Sequence, residues 1–138
     1  MKNENLNLAF LKLEKALITL EKAKLMPFDE DRSEKDTSIK RFEYTFELFW
    51  KTLKKILESE GFIDLNSPKA ILSQAFMSHL IINEDIWLDM LADRNLSSHT
   101  YNEDLADAIF SRIRFKYTDF LRTSFDNLRA KCTQNEHV

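Results

Sequence analysis

The chain has 138 residues, 43% of them hydrophobic and 31% charged, with one glycine, two prolines and a net charge of −3. This composition indicates one globular domain, and it excludes a disordered chain and a general nucleic-acid coat protein. Because hairpins and other tight turns need glycine or proline, the near absence of both residues predicts an all-α protein.

Two long helices are predicted in the first half of the chain. The first is expected over about 5–25 and ends before Pro27, because proline cannot continue the helical hydrogen-bond ladder. The second is expected over about 37–60 and ends at Gly61, a residue suited to the left-handed conformation of a helix stop. Apolar residues in both recur at steps of three and four, as on a bundle seam: Leu6, Phe10, Leu13, Leu17 and Leu20, then Ile39, Phe42, Phe46, Phe49, Leu53 and Ile56.

Three further helices are predicted from their start signals. Ser67 and Pro68 begin a short helix that reaches about Ser78. A helix that begins after Asn83 runs toward residue 97, and Asn102 caps the last helix. The sequence therefore predicts an antiparallel up-and-down bundle of four to five helices in one domain over residues 1–132, with a frayed tail over 133–138.

The last predicted helix carries one apolar stripe. Its members are Leu105, Ile109, Ile113, Tyr117, Phe120, Ser124 and Leu128. Phe115 and Phe125 fall outside this stripe, and we expect them to be exposed, where they could form a dimer contact.

Several protein classes are excluded by missing features. Cys132 is the only cysteine, so an internal disulfide or a zinc–thiolate cluster cannot form, and no metal site is expected. One glycine is too few for a Gly-rich phosphate loop or a dinucleotide fingerprint. No segment approaches the ~18 uninterrupted apolar residues of a membrane span, and the first residues lack the apolar run of a signal peptide. We therefore expect a cytoplasmic protein.

Charge is distributed unevenly along the second half of the chain. Residues 83–107 contain seven acids and one base, a charge of −6, whereas residues 112–131 contain six bases and two acids, a charge of +4. Two solvated helix faces that attract each other would explain this pattern. A basic strip for an anionic partner is the alternative, functional interpretation, and the attraction between the two faces is favoured over it.

Arg94 is unusual because it falls on the apolar stripe of its predicted helix, seven residues after Trp87 and three after Leu91. A guanidinium in that position is costly unless it is paired. Glu43 or Glu47 of the second helix could supply the partner, so an internal ion pair is one interpretation.

His99 suggests a second interpretation, because it lies only five residues after Arg94. On an ideal helix that spacing separates the two side chains by roughly 140°. They converge only if the helix ends between them or if a second subunit supplies one of them. An imidazole beside a fixed positive charge is pushed toward its neutral form, which can act as a general base.

The run Arg-x4-His-x-Tyr, read as Arg94, His99 and Tyr101, resembles the signature of the HEPN superfamily of small helical bundles. Three blocks also resemble, in order and spacing, a branch of that superfamily, the nucleotidyltransferase substrate-binding proteins. The blocks are RFEYTFELFWKTLKKILESEG over 41–61, SPKAIL over 67–72 and EDIWLDMLADRNLSSHTYNE over 84–103.

This resemblance implies one half of a two-component, toxin–antitoxin-like module whose other half is a minimal nucleotidyltransferase. The helical half would be a metal-independent endoribonuclease toxin that acts as a homodimer, or a noncatalytic subunit that binds substrate for the nucleotidyltransferase. RNA or a nucleotide is the implied ligand, and no cofactor, DNA or membrane is implied.

The resemblance also implies roles for individual residues. Arg94 and His99 would be the catalytic pair, Asn95 would orient the phosphate, and Tyr101 would be adenylylated by the partner enzyme. Glu43 and Glu47 are possible orienting acids. The flanks of the motif are acidic, which disfavours RNA binding unless the basic last helix lines the cleft. A structural adaptor, with Arg94 in an internal ion pair, is a third possibility.

Overall fold

The computed structural model describes residues 2–28, 33–97 and 102–136, and all regular structure in these ranges is helical. The helices are α1 (Lys2–Lys24), α2 (Ser33–Ser59), α3 (Pro68–Met77), α4 (Glu84–Ser97), α5 (Glu103–Arg112) and α6 (Thr118–Glu136). A π-helical segment over Ile113–Tyr117 joins α5 to α6. The all-α prediction is confirmed. None of the described helices has both the length and the apolar character needed to cross a membrane.

Contacts between helix ends show that the bundle is antiparallel. Arg41, in the first half of α2, donates from Nη1 to the carbonyl oxygen of Thr19, near the end of α1, over 2.8 Å. At the start of α6, Asp119 pairs with Lys24 at the end of α1 over 2.8 Å. Helices α2 and α6 therefore both run opposite to α1, as the up-and-down prediction requires.

The fourth long helix, α4, closes the bundle around an aromatic core. Trp87 is fully buried, and its ring lies 4.8 Å from that of Phe49 of α2 and 5.8 Å from that of Phe120 of α6. Across the core, the rings of Phe42 and Tyr117 stack with centroids 5.5 Å apart. Burial of such side chains contributes roughly 1.5–3 kcal/mol each, so these rings are a main source of stability.

Three predicted helix boundaries are confirmed by capping contacts or backbone conformation, whereas α2 begins at Ser33, four residues before the predicted start at about 37. The Ser67 hydroxyl accepts the amide of Ala70 at 3.1 Å, and the Asn102 side chain accepts the amides of residues 104 and 105 at 2.9 and 3.2 Å. Gly61 adopts a φ of 100°, which only glycine reaches without strain, at the point where α2 stops.

The predicted stripe of the last helix is confirmed beyond Tyr117, since Leu128 and Ser124 are buried and Phe120 packs against the core, but the prediction for Phe125 is wrong. Phe125, expected outside the stripe, is only 3% exposed and packs edge-to-face on Phe10 of α1, whereas Phe115 is 69% exposed as expected. The π-helical segment explains the difference. The Thr118 hydroxyl donates to the carbonyl oxygen of Ile113 at 2.7 Å, across one wide turn that takes up an extra residue.

Candidate functional site

Two adjacent residues near the end of α4, Asp93 and Arg94, face different neighbouring helices. Asp93 contacts the end of α5 and the π-helical segment, whereas Arg94 contacts α2. Successive side chains on a helix diverge by about 100°, so one turn of α4 serves two separate polar clusters. We call them the inner cluster (Asp93, Arg112, Tyr117) and the outer cluster (Glu43, Glu47, Arg94, Ser97).

The inner cluster is tightly hydrogen-bonded around a buried acid, with Arg112 partly exposed. The Asp93 side chain is 8% exposed. Its carboxylate accepts two hydrogen bonds from Arg112, at 2.7 Å from Nε and 2.8 Å from Nη2, and one from the Tyr117 hydroxyl at 2.5 Å. This bidentate geometry is the strongest arrangement that an arginine and a carboxylate can adopt.

Both partners of Asp93 have raised pKa values. The hydrogen bonds to Asp93 raise the pKa of Arg112 further above its ordinary value. Burial, followed by the hydrogen bond to Asp93, raises the pKa of the Tyr117 phenol above its ordinary value of about 10. The inner cluster therefore joins a charged arginine and a neutral phenol to one buried carboxylate, an arrangement that holds structure.

The inner cluster is not among the sites predicted from the sequence. From the sequence alone, Asp93 is assigned to the acidic flank of the motif, Arg112 to the basic strip, and Tyr117 to the apolar stripe. The sequence does contain a signal for this cluster. Asp93 follows the buried Met90 by three residues and therefore lies on the same inward face of α4. An acid in that position requires a buried partner.

The outer cluster contains the ion pair that was predicted for Arg94. Its Nη2 lies 3.6 Å from Oε2 of Glu47, and the two side chains are 35% and 29% exposed. Glu47 is shared, because its Oε2 also accepts the Trp50 indole N–H at 3.1 Å and its Oε1 lies 3.4 Å from Nζ of Lys51. The contact to Arg94 is therefore long, partly solvated and shared with other donors.

Glu43 holds the end of α4. The Ser97 hydroxyl lies 2.5 Å from Oε2 of Glu43 and 3.0 Å from the carbonyl oxygen of Arg94. The two acids predicted to orient the site, Glu43 and Glu47, thus both face the last turn of α4. Asn95, the next residue after Arg94, is exposed.

The remaining predicted site residues, His99 and Tyr101, lie outside the described residues. The structure describes the two ends that flank them, with α4 ending at Ser97 and Asn102 capping α5. Within the described parts of the chain, no three His, Cys, Asp or Glu side chains form a group that could hold a metal ion.

Comparison with known proteins identifies the family. Residues 2–130 match the family described as nucleotidyltransferase substrate binding protein like. The chain belongs to this family, a branch of the HEPN superfamily. It is 30% identical over 104 residues to the probable ribonuclease HepT of Haemophilus influenzae, an alignment that covers 72% of this chain and 68% of the relative.

A solved structure agrees with this assignment. The crystal structure of a protein from Thermus thermophilus superposes with a TM-score of 0.72 at 36% sequence identity. The match covers 86% of this chain and 97% of the other. The family resemblance expected from the three sequence blocks and the Arg-x4-His-x-Tyr motif is therefore confirmed at the level of the family.

Two arginines of α6 contact α1 within the same bundle. Arg122 pairs with Glu21 of α1 at 2.6 Å, and the guanidinium of Arg129 lies 4.7 Å from the ring centroid of Phe10. The Arg112–Asp93 pair joins the basic segment 112–131 to the acidic segment 83–107, as the charge-attraction interpretation expects, whereas Arg122 pairs with an acid of α1 and Arg129 with an aromatic ring. A basic strip for an anionic partner is correspondingly less favoured on this helix.

Proposed function

We propose that this chain is the helical subunit of a two-component nucleotidyltransferase module and acts as a metal-independent endoribonuclease. Its catalytic pair would be Arg94 and His99, in a cytoplasmic homodimer controlled by a separate minimal nucleotidyltransferase. The observation that carries the proposal is the position of Arg94, a partly exposed guanidinium at the end of α4 in the segment that bears the motif. The name of the Haemophilus influenzae relative, a probable ribonuclease, supports the same activity.

The weakness of the Arg94–Glu47 pair supports a role in binding phosphate. The 3.6 Å contact is longer than the ~2.7–2.9 Å of a tight charge-assisted hydrogen bond. A phosphate that offers two oxygens to the planar guanidinium fork would bind Arg94 more strongly than this carboxylate does. Glu47 would then stay bound to Trp50 and Lys51 and keep the arginine aligned from behind.

The proposed reaction uses the 2′-hydroxyl of RNA as the nucleophile. His99 accepts the 2′-hydroxyl proton while the 2′-oxygen attacks the adjacent phosphorus. Arg94 stabilises the additional negative charge on the phosphorane. The bond to the 5′-oxygen breaks, and this oxygen takes up a proton, which leaves a 2′,3′-cyclic phosphate and a 5′-hydroxyl. Asn95 would orient a phosphate oxygen through its side-chain amide.

Tyr101 would be the control point of the module. Adenylylation of its hydroxyl by the partner nucleotidyltransferase would add a nucleotide's bulk and negative charge two residues after His99. A phosphodiester substrate would then be excluded sterically and repelled electrostatically.

A noncatalytic substrate-binding subunit is the second candidate function. It is favoured by the acidic surroundings of Arg94, where Glu43 and Glu47 both face the last turn of α4. RNA would have to approach these carboxylates, whereas a subunit that docks on a partner protein would not. The family's own description, substrate binding protein like, agrees with this alternative.

Growth of a bacterial host separates the two functions. The chain is expressed with and without a cognate nucleotidyltransferase, alongside His99→Ala and the control His79→Asn, which changes an exposed histidine after α3. We expect arrest by the unsubstituted chain and the control, and normal growth with His99→Ala or with the partner. Normal growth in every arm, with folded protein present, would contradict the ribonuclease proposal and favour the noncatalytic subunit.

A further inference from the structure

A shallow groove between α1 and α2 has an unusual charge for this acidic protein. Its volume is about 170 Å³, and its eight lining residues include three lysines and no acid, although the chain carries a net charge of −3. The lining residues are Asn5, Leu8, Ala9, Lys12, Leu48, Lys51, Thr52 and Lys55. We call this feature the lysine groove.

The floor of the lysine groove is apolar and its rim is cationic. Leu8 contributes a half-exposed side chain, and Leu48 packs partly against the core. The Thr52 hydroxyl donates to the carbonyl oxygen of Leu48 at 2.7 Å, so its proton is already committed. Lys12 and Lys55 are exposed on opposite helices. The groove thus offers positive charge on two sides of an apolar surface.

The lysine groove is continuous with the outer cluster. Lys51 lies 3.4 Å from Oε1 of Glu47, and the other oxygen of that carboxylate lies 3.6 Å from Arg94. Along α2, Lys51 and Lys55 follow Glu47 at successive steps of four residues, about 6 Å of helix rise each. A chain of phosphates bound at Arg94 would meet further positive charge along this line.

Trp50 adds an aromatic surface beside the same line. Its indole N–H is fixed by Glu47 at 3.1 Å, and Nζ of Lys51 lies 5.8 Å from its ring centroid. Single-stranded RNA is bound by cations that follow the backbone and by aromatic rings on which bases stack. The cations are present along this line, and Trp50 is half-buried and packs partly against the core.

We propose that the lysine groove binds the single-stranded RNA that flanks the bond cleaved at Arg94. This inference rests on the proposed function and names the path that the substrate takes across the surface. An acidic helix of a protein partner would also suit a cationic rim. RNA is favoured because Lys51 and Lys55 extend positive charge along α2 beyond Glu47, the acid that lies between Lys51 and Arg94.

Binding is tested on the full chain with His99→Ala, so that the RNA is not cut. A fluorescent single-stranded RNA of twelve nucleotides is titrated at several salt concentrations. The groove variant is Lys12→Gln with Lys55→Gln. The matched control is Lys15→Gln with Lys40→Gln, exposed lysines of the same two helices outside the groove. Lys51 is left intact because it contacts Glu47.

The groove variant should bind the RNA about tenfold more weakly than the control. The slope of log K against log salt should also become less steep by about 1.4, since each phosphate contact to a single strand contributes about 0.7. Equal affinity and equal slope in the two double variants would overturn the inference. So would an unchanged RNA affinity combined with lost binding of the nucleotidyltransferase, which would assign the groove to a protein.

A second measurement separates this inference from the proposed function. With His99 present, the groove variant should still cleave a dinucleotide at the normal rate, because the single phosphate of a dinucleotide is the one bound at Arg94, but should cleave the twelve-nucleotide RNA poorly. Normal cleavage of both substrates would overturn the groove and leave the ribonuclease intact. Groove-dependent binding by a chain that cleaves no RNA would support the groove and contradict the ribonuclease.

Discussion

The inner and outer clusters place two arginine–carboxylate pairs on one turn of the same helix, and the pairs differ in hydrogen-bond geometry and in the burial of the acid, although the two arginines are similarly exposed. Asp93 and Arg112 are joined by two hydrogen bonds of 2.7 and 2.8 Å, with the aspartate side chain 8% exposed. Arg94 and Glu47 make one contact of 3.6 Å, with both side chains about one-third exposed. Asp93 and Arg94, although adjacent in the sequence, thus belong to pairs with different geometry and burial.

The difference indicates which pair serves the fold and which serves a ligand. A buried carboxylate that loses its partner keeps its desolvation penalty, so the inner pair cannot open without loss of stability. An exposed pair contributes about 0–1 kcal/mol, so the outer pair can exchange its carboxylate for a phosphate at little cost. The inner cluster anchors the end of α4, and Arg94 is presented from that anchored turn.

Loss of the inner carboxylate should have the largest effect on stability. We expect Asp93→Ala to lower the free energy of unfolding by about 3 kcal/mol, the lower end for a broken buried pair, because Arg112 is partly solvated. Urea denaturation, monitored by circular dichroism, measures this change in the free energy of unfolding. The comparison between clusters would be wrong if Asp93→Ala cost no more than Arg94→Ala.

Tyr117→Phe should have an intermediate effect. It removes one hydrogen bond to a charged acceptor and leaves the ring stacked on Phe42, so we expect a loss of about 1.5 kcal/mol at neutral pH. Urea denaturation again measures the loss of unfolding free energy. A loss below about 0.5 kcal/mol, the lower limit for an ordinary hydrogen bond, would show that Arg112 alone satisfies Asp93.

The same substitution gives a test with a defined pH dependence. Because the folded pKa of Tyr117 is raised above the ordinary value of about 10, the folded state keeps this proton after the unfolded state has lost it. The stability that the phenol contributes is therefore complete below pH 10 and is lost as pH rises through the folded pKa.

Absorbance of tyrosinate reports this titration directly. The chain has three tyrosines, and near pH 11 the folded protein and Tyr117→Phe should show the same absorbance change, since Tyr117 remains protonated. A change smaller by one-third in the variant would mean that the phenol titrates normally.

The smallest effect on stability is expected for the outer pair. We expect Glu47→Gln to change the free energy of unfolding by less than about 1 kcal/mol, because the pair with Arg94 is partly solvated and Gln can still accept the Trp50 indole. Thermal denaturation of Glu47→Gln and Asp93→Ala under the same conditions compares the stability lost in the two variants. Equal losses in the two variants would show that the outer pair is structural.

Local signals are enough to predict the helices. Ser67 with Pro68, Asn102 and Gly61 each act on backbone groups within a few residues, so their effect is visible in the sequence. The seams of α1 and α2 are likewise predictable, because 3.6-residue periodicity is a local property.

Non-local features are not predictable in the same way. The partner of Asp93 is 19 residues away on another helix, and nothing within either segment identifies it. The π-helical segment is missed because the predicted stripe assumes a regular α-helix. Five buried residues of this region recur at strict steps of four: Ile109, Ile113, Tyr117, Leu121 and Phe125. A four-residue repeat drifts around a regular α-helix, so a wider turn is required to keep these residues on one face.

Cleavage of RNA by the purified chain in EDTA tests the central claim most directly. The unsubstituted protein is compared with Arg94→Ala on one single-stranded RNA, after thermal denaturation has shown that both are folded. We expect metal-independent cleavage to 2′,3′-cyclic phosphate ends, and a loss of roughly 100-fold or more in Arg94→Ala with stability nearly unchanged. Full activity in Arg94→Ala, or a loss of activity that only follows a loss of folding, would contradict it.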